Sequence, residues 1–76
     1  MSADNYHLVD KRSDGTYVVL SNLSASVDYT KRQLNGMEPR WRTYSLDSAL
    51  RAAHKLEREQ YTEYGVQVTD RAEADL

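Results

Sequence analysis

Residues 45–60 read SLDSALRAAHKLEREQ and carry the strongest structural pattern in the chain. Apolar side chains recur there with helical spacing and form one stripe, Leu46, Ala49, Leu50, Ala53 and Leu56. Ser45 precedes the stripe and has the side chain typical of a helix N-cap. The pattern predicts an amphipathic helix that begins after Ser45 and is closed by Gly65 in a left-handed conformation. Its small residues would let the helix approach a sheet closely.

A β-hairpin is predicted upstream of this helix. Apolar residues alternate on either side of an Asp14-Gly15 turn, at Tyr6, Leu8, Val18 and Leu20. A three-residue loop with Gly15 in the left-handed region places Leu8 opposite Leu20 and all four apolar residues on one face. A two-residue type I′ turn would shift the register by one residue and exchange the faces. We favour the three-residue loop.

Residues 22–39 are compatible with two local structures. The alternation through residues 25–29 fits a short third strand, whereas Ser26 could cap one or two helical turns that end at Asn35-Gly36. Both alternatives stay open at the level of sequence.

The remaining segments complete a single α+β domain over residues 1–69. Residues 40–44, RWRTY, are predicted to form a strand at a sheet edge, and residues 66–68, VQV, a short final strand. Residues 70–76 are polar and acidic and are predicted to be a flexible tail. The expected architecture is a small antiparallel sheet, made of the hairpin plus one or two further strands, packed by a single helix in the order ββ(β)βαβ.

Composition excludes several classes of protein. The chain has 76 residues, a mass of 8.8 kDa, no cysteine and a net charge of −2. Disulfides and thiolate zinc sites are therefore excluded, and the net charge argues against binding a polyanion with the whole surface. No apolar run approaches the roughly 20 residues of a membrane-spanning helix, and the N-terminus lacks the features of a signal peptide. We expect a cytoplasmic protein without membrane contact, stabilised by dimerisation or by a partner.

Catalytic and metal-binding motifs do not emerge from the sequence. The two histidines are His7 and His54, and only His54 has a second ligand type, Glu57, one helical turn away. Structural metal sites usually need four ligands, so we expect no metal. There is no G-x-S-x-G nucleophile motif and no glycine-rich phosphate loop. The chain is therefore predicted to be neither an enzyme nor a cofactor-binding protein.

A segment rich in arginine and aromatic residues is the candidate contact surface. Residues 31–42 contain four basic side chains and one acidic one, Glu38. The candidate partner-binding residues are Tyr29, Lys31, Arg32, Arg40, Trp41, Arg42 and Tyr44. Tryptophan, tyrosine and arginine are enriched at protein interfaces, and they also suit single-stranded nucleic acid. Alternation along a strand permits a third interpretation, in which Trp41 enters the core and its arginine neighbours face solvent.

Residues 44–53, YSLDSALRAA, and residues 63–68, EYGVQV, follow a predicted hairpin. This combination resembles the small accessory, early-gene proteins of bacteriophages that infect actinobacteria. The resemblance implies a noncatalytic protein in the host cytoplasm that binds a host or phage macromolecule.

We therefore expect a noncatalytic interaction protein that binds a host or phage protein through the aromatic and arginine patch. One alternative is a small nucleic-acid-binding protein that uses the same side chains. The other is a homodimeric structural protein, joined at a sheet edge, or head to tail through the basic middle and the acidic residues 59–76.

Overall fold

The computed structural model describes residues 4–76, so the first three residues of the predicted domain lie outside the described part. The elements, in chain order, are β1 (Asn5–Lys11), β2 (Tyr17–Ser24), α1 (Lys31–Asn35), β3 (Trp41–Thr43), α2 (Leu46–Glu59), β4 (Val66–Val68) and α3 (Asp70–Glu73). The strands form one sheet in the order β3-β2-β1-β4. The predicted α+β class is confirmed, and β3 lies at an edge as expected. The helix content differs from the prediction, since α1 and α3 accompany α2.

The hairpin has the predicted loop, and the predicted register holds from Lys11 back to Leu8, beyond which a shift of one residue pairs Tyr6 with Leu23. The Arg12 amide donates a hydrogen bond to the Thr16 carbonyl over 2.8 Å, which leaves a three-residue loop between them. Gly15 has a φ of +87°, in the left-handed region. Leu8 pairs with Leu20. The preference for the three-residue loop over the type I′ turn is therefore confirmed.

The two glycines at 15 and 36 should respond oppositely to alanine. Gly15→Ala places a Cβ at positive φ, and we expect it to lower the free energy of unfolding by about 1 kcal/mol. Gly36 has a φ of −86°, and a Cβ there would meet its nearest atom, the Arg32 carbonyl oxygen, at 3.6 Å. Gly36→Ala should therefore be neutral or slightly stabilising. Urea unfolding of both variants measures the difference, and equal effects would contradict the loop geometry.

The sheet is mixed rather than antiparallel, because β4 runs parallel to β1. His7 pairs with Val66 and Val9 with Val68 in a parallel register. The cause is the connection through α2, whose 14 residues carry the chain from one sheet edge to the other. Such a helical crossover delivers the next strand in the same direction as the previous one. The predicted antiparallel sheet is corrected in this respect.

Both faces of the hairpin are buried. On one face Val9, Tyr17 and Val19 pack against Ala49, Ala53 and Leu56 of α2. On the other face lie Leu8, Val18, Leu20 and Leu23, covered by Leu34 of α1. The alternation predicted from Leu8 and Leu20 therefore marks the α1 face, and α2 covers the opposite one. Ala49 and Ala53 are fully buried, as their close approach to the sheet requires.

Residues 22–39 adopt the helical alternative, with a different cap. Thr30, not Ser26, caps α1, and its hydroxyl and the Gln33 side chain form a reciprocal capping box. The helix ends next to Gly36, as predicted. No strand forms over residues 25–29, because β2 ends at Ser24 and Val27 remains 45 % exposed.

Helix α2 begins as predicted and ends earlier. Ser45 accepts a hydrogen bond from the Ser48 amide and caps the helix. The helix ends at Glu59. The carboxylate of Glu57, in the last turn of the helix, accepts hydrogen bonds from the amide and the hydroxyl of Thr62. These bonds hold Thr62, three residues beyond the helix, against the side chain of Glu57. Gly65 does have a positive φ, +67°, but it precedes β4 instead of closing α2.

Residues 70–76 differ from the predicted flexible tail. Thr69 caps α3, and Ala72 is fully buried against the α2 face of the sheet. Arg71 forms an ion pair with Asp10, and Asp75 accepts hydrogen bonds from Lys11 and Tyr17. The polar composition of this segment reflects bonds to polar groups of the hairpin. Asp75, one of the acidic side chains of residues 59–76, is therefore bound to groups of its own chain.

Candidate binding groove

Trp41 is half-exposed at the edge of the sheet. It pairs with Val19, which is buried in the cluster beneath α2, so Trp41 lies on the α2 side of the sheet. Because β3 is an edge strand, its outer side has no neighbouring strand within residues 4–76. The indole consequently keeps 52 % of its surface exposed. The interpretation that placed Trp41 in the core is wrong.

A groove of about 450 Å³ lies between this edge and α2. Its β-side residues are Arg40, Trp41 and Val19. Its helical wall is formed by residues spaced three or four apart on α2, Ser48, Arg51, Ala52, Lys55, Leu56 and Glu59. Val19 and Leu56 are buried core residues that provide an apolar floor. The groove thus combines an exposed indole, an apolar base and a charged rim.

The rim carries an excess of positive charge. Arg40, Arg51 and Lys55 line the groove together with one carboxylate, Glu59. Arg51 forms an exposed ion pair with Asp47 at 3.0 Å. Within the described part of the chain, the side chains of Arg40 and Lys55 have no ion pair. Two cations on opposite walls are therefore available to a ligand.

Protein-family models, curated proteins and solved structures were compared with this chain, and none matches. Its function is inferred from the groove.

The structure divides the predicted contact residues between the two faces of the sheet. Arg40 and Trp41 line the groove. Arg42 pairs with Val18, whose side chain lies on the α1 face, so Arg42 projects away from the groove. The charge of Arg42 acts instead on Asp14 in the hairpin loop. The pKa of Asp14 is held below its usual value mainly by hydrogen bonds from Thr16, and to a smaller extent by the charges of Arg42 and Arg12.

The residues predicted upstream of Pro39 also lie apart from the groove. Lys31 and Arg32 are exposed in the first turn of α1, on the opposite face of the sheet. Tyr29 packs against the cluster around Leu8, and its hydroxyl accepts a hydrogen bond from the Ser24 amide. The role of Tyr29 that the structure shows is therefore structural.

Tyr44 occupies the turn between β3 and α2 and is 84 % exposed. It directly follows β3 in sequence but does not line the groove. The predicted set therefore contributes two groove residues, while Arg51 and Lys55 were not predicted. Both fall beside the apolar stripe of α2, and that position is the signal that could have identified them.

A buried polar cluster anchors the end of α2. His7 is fully buried, and its Nε2 atom lies 2.9 Å from the Gln60 carbonyl oxygen and 3.4 Å from Glu57. Because a carbonyl only accepts hydrogen bonds, we assign the proton to Nε2. Burial would raise the pKa of Glu57, but hydrogen bonds from Thr62 outweigh it and lower the pKa. The cluster joins α2 to β1 and so holds the helical wall of the groove.

Within residues 4–76, no three histidine or carboxylate side chains are grouped so that they could hold a metal ion. No helix in the same range is both long and apolar enough to cross a bilayer.

Proposed function

We propose that this protein is a noncatalytic binding module that takes a segment of a partner protein into the groove between β3 and α2. The observation that carries the proposal is Trp41, a large apolar side chain left half-exposed above an apolar floor. Covering the indole would remove apolar surface from water, which favours association. Tryptophan and arginine are also the residue types that most often dominate interface energetics.

The resemblance of residues 44–53 and 63–68 to phage accessory proteins supports a host or phage protein as the partner, met in the bacterial cytoplasm. The net charge of −2 favours a protein over a nucleic acid, because nucleic-acid affinity depends on neutralising many phosphates.

Trp41→Ala is expected to weaken partner binding about thirtyfold, since truncation of a hot-spot tryptophan typically costs about 2 kcal/mol. The partner is first isolated from an actinobacterial host with the intact chain as bait. Its dissociation constant is then measured for each variant by calorimetry. Tyr64→Ala is the matched control, because Tyr64 is 53 % exposed and precedes β4 at the opposite sheet edge.

Equal loss in both variants would contradict the groove as the contact surface. Nucleic acid is tested separately by titrating Trp41 fluorescence with single-stranded oligothymidine at low and moderate salt. A saturable change that weakens steeply with salt would favour the nucleic-acid alternative over the proposal.

A further inference from the structure

We infer that the groove binds an extended, acidic segment of the partner as an additional strand on the free edge of β3. This inference rests on the proposed function and specifies the ligand of the same site. Strand β3 spans Trp41–Thr43 and ends the sheet, so one row of its backbone amides and carbonyls is without a strand partner in residues 4–76. An extended peptide can pair with such a row, as in other strand-addition complexes.

The position of the groove specifies where the side chains of the added strand would go. Successive residues of a strand face opposite sides of the sheet, so every second side chain of the segment would face α2. On that side it meets Trp41, the apolar floor at Leu56 and the α2 wall. Main-chain pairing and side-chain insertion thus use the same edge.

Charge selects an acidic ligand. Arg40 lies on the strand side of the groove and Lys55 on the helix side, both without an ion pair among the described residues. A carboxylate placed between the walls would satisfy either cation, whereas a basic segment would be repelled. The segment we infer therefore alternates acidic residues with an apolar side chain that packs on Trp41.

The same charges oppose a second copy of this chain as the occupant. The groove of a second copy presents the same excess of positive charge, Arg40, Arg51 and Lys55 against Glu59, so two copies meeting at this edge would bring like charges together. Like charges across an interface disfavour association.

The test uses a displayed library of random twelve-residue peptides, selected on the full chain. We expect enriched sequences to alternate aspartate or glutamate with apolar residues. Synthetic versions are then titrated by Trp41 fluorescence. The double variant Arg40→Ala/Lys55→Ala should weaken binding about tenfold, corresponding to two partly exposed ion pairs. The control Lys31→Ala/Arg42→Ala changes net charge equally on the opposite face and should leave affinity unchanged.

N-methylation of single peptide amides tests strand addition directly. Only every second residue of an added strand directs its amide at the edge strand, so methylation should abolish binding at alternate positions and be tolerated between them. Uniform tolerance, helical bound peptides, basic enriched sequences or no enrichment would overturn the inference. The proposed function would survive those results, since a folded partner surface could still cover Trp41. The proposed function fails if the enriched peptides bind the Trp41→Ala variant as tightly as they bind the parent protein. Calorimetry measures this comparison, because the variant has no tryptophan fluorescence.

Discussion

Arg71→Ala is expected to remove about 3–5 kcal/mol from the free energy of unfolding, the cost typical of leaving a buried charge without its partner. Asp10 is fully buried in β1, and Arg71 donates two hydrogen bonds to its carboxylate, over 2.7 and 2.6 Å. A domain of this size is stabilised by only about 5–10 kcal/mol in total. The variant should therefore unfold at much lower urea concentration, or be partly unfolded without urea.

The carboxylate of Asp10 is held in its charged form by several donors. Burial would raise the pKa of Asp10, but hydrogen bonds from Arg71 and Thr69, the charge of Arg71 and the Lys11 amide together lower it. Without Arg71 the burial penalty is left largely uncompensated. Arg71 also donates to the Asn35 side chain, so its loss separates α3 from α1 as well as from β1.

Arg51→Ala is the matched control, because Arg51 is also an ion-paired arginine. Its partner Asp47 lies one helical turn away at 3.0 Å, and the two side chains are 81 % and 70 % exposed. Such a pair contributes about 0.5 kcal/mol or less. Both variants are compared by urea unfolding followed by circular dichroism. A cost for Arg71→Ala no larger than that of Arg51→Ala would show that the Asp10 pair is not buried as described.

Truncation after Thr69 is expected to have a still larger effect and to leave the chain largely unfolded at 25 °C. It removes the Arg71 pair and also Ala72, which is fully buried against the core. It further removes Asp75, whose carboxylate accepts hydrogen bonds from Lys11 and Tyr17. Those two bonds lower the pKa of Asp75. Far-ultraviolet circular dichroism and the dispersion of amide proton resonances measure the outcome.

Removal of residues 74–76 alone is the control for this truncation. It deletes Asp75 and the exposed Leu76 but retains Arg71 and Ala72. We expect that chain to remain folded, with a smaller loss of stability. A chain ending at Thr69 that folds with the stability of the parent would restore the flexible tail predicted from composition.

Elements with strong local signals were predicted well. The Asp14-Gly15 loop set the register of the hairpin, since Gly15 tolerates the positive φ that a three-residue loop requires. Ser45 and the apolar stripe after it located the start of α2. The end of α2 was predicted too late, because the bonds of Glu57 to Thr62 compete with continued helix in a way that spacing does not reveal.

The candidate site was predicted in part, for a related reason. The composition of residues 31–42 identified Arg40 and Trp41. It did not show which residues of that segment share one surface in the folded protein. Arg42 lies on the opposite face because successive residues of β3 alternate between the two faces. Lys31 and Arg32 lie there because they belong to α1, which packs on that face through Leu34. The cations that do accompany Trp41 come from α2, and only the packing of that helix beside the sheet edge brings them there.

The sequence by itself determined the hairpin, the capped helix and an aromatic strand at an edge, because turn, cap and alternation signals act over a few residues. Tertiary structure decided the parallel pairing of β4, the face on which Trp41 lies and the burial of Asp10 against Arg71, 61 residues further along the chain. These features depend on how α2 crosses the sheet. The residues that meet in these features are far apart in the chain, so no short stretch of sequence indicates that they will be neighbours. They become neighbours only when α2 crosses the sheet.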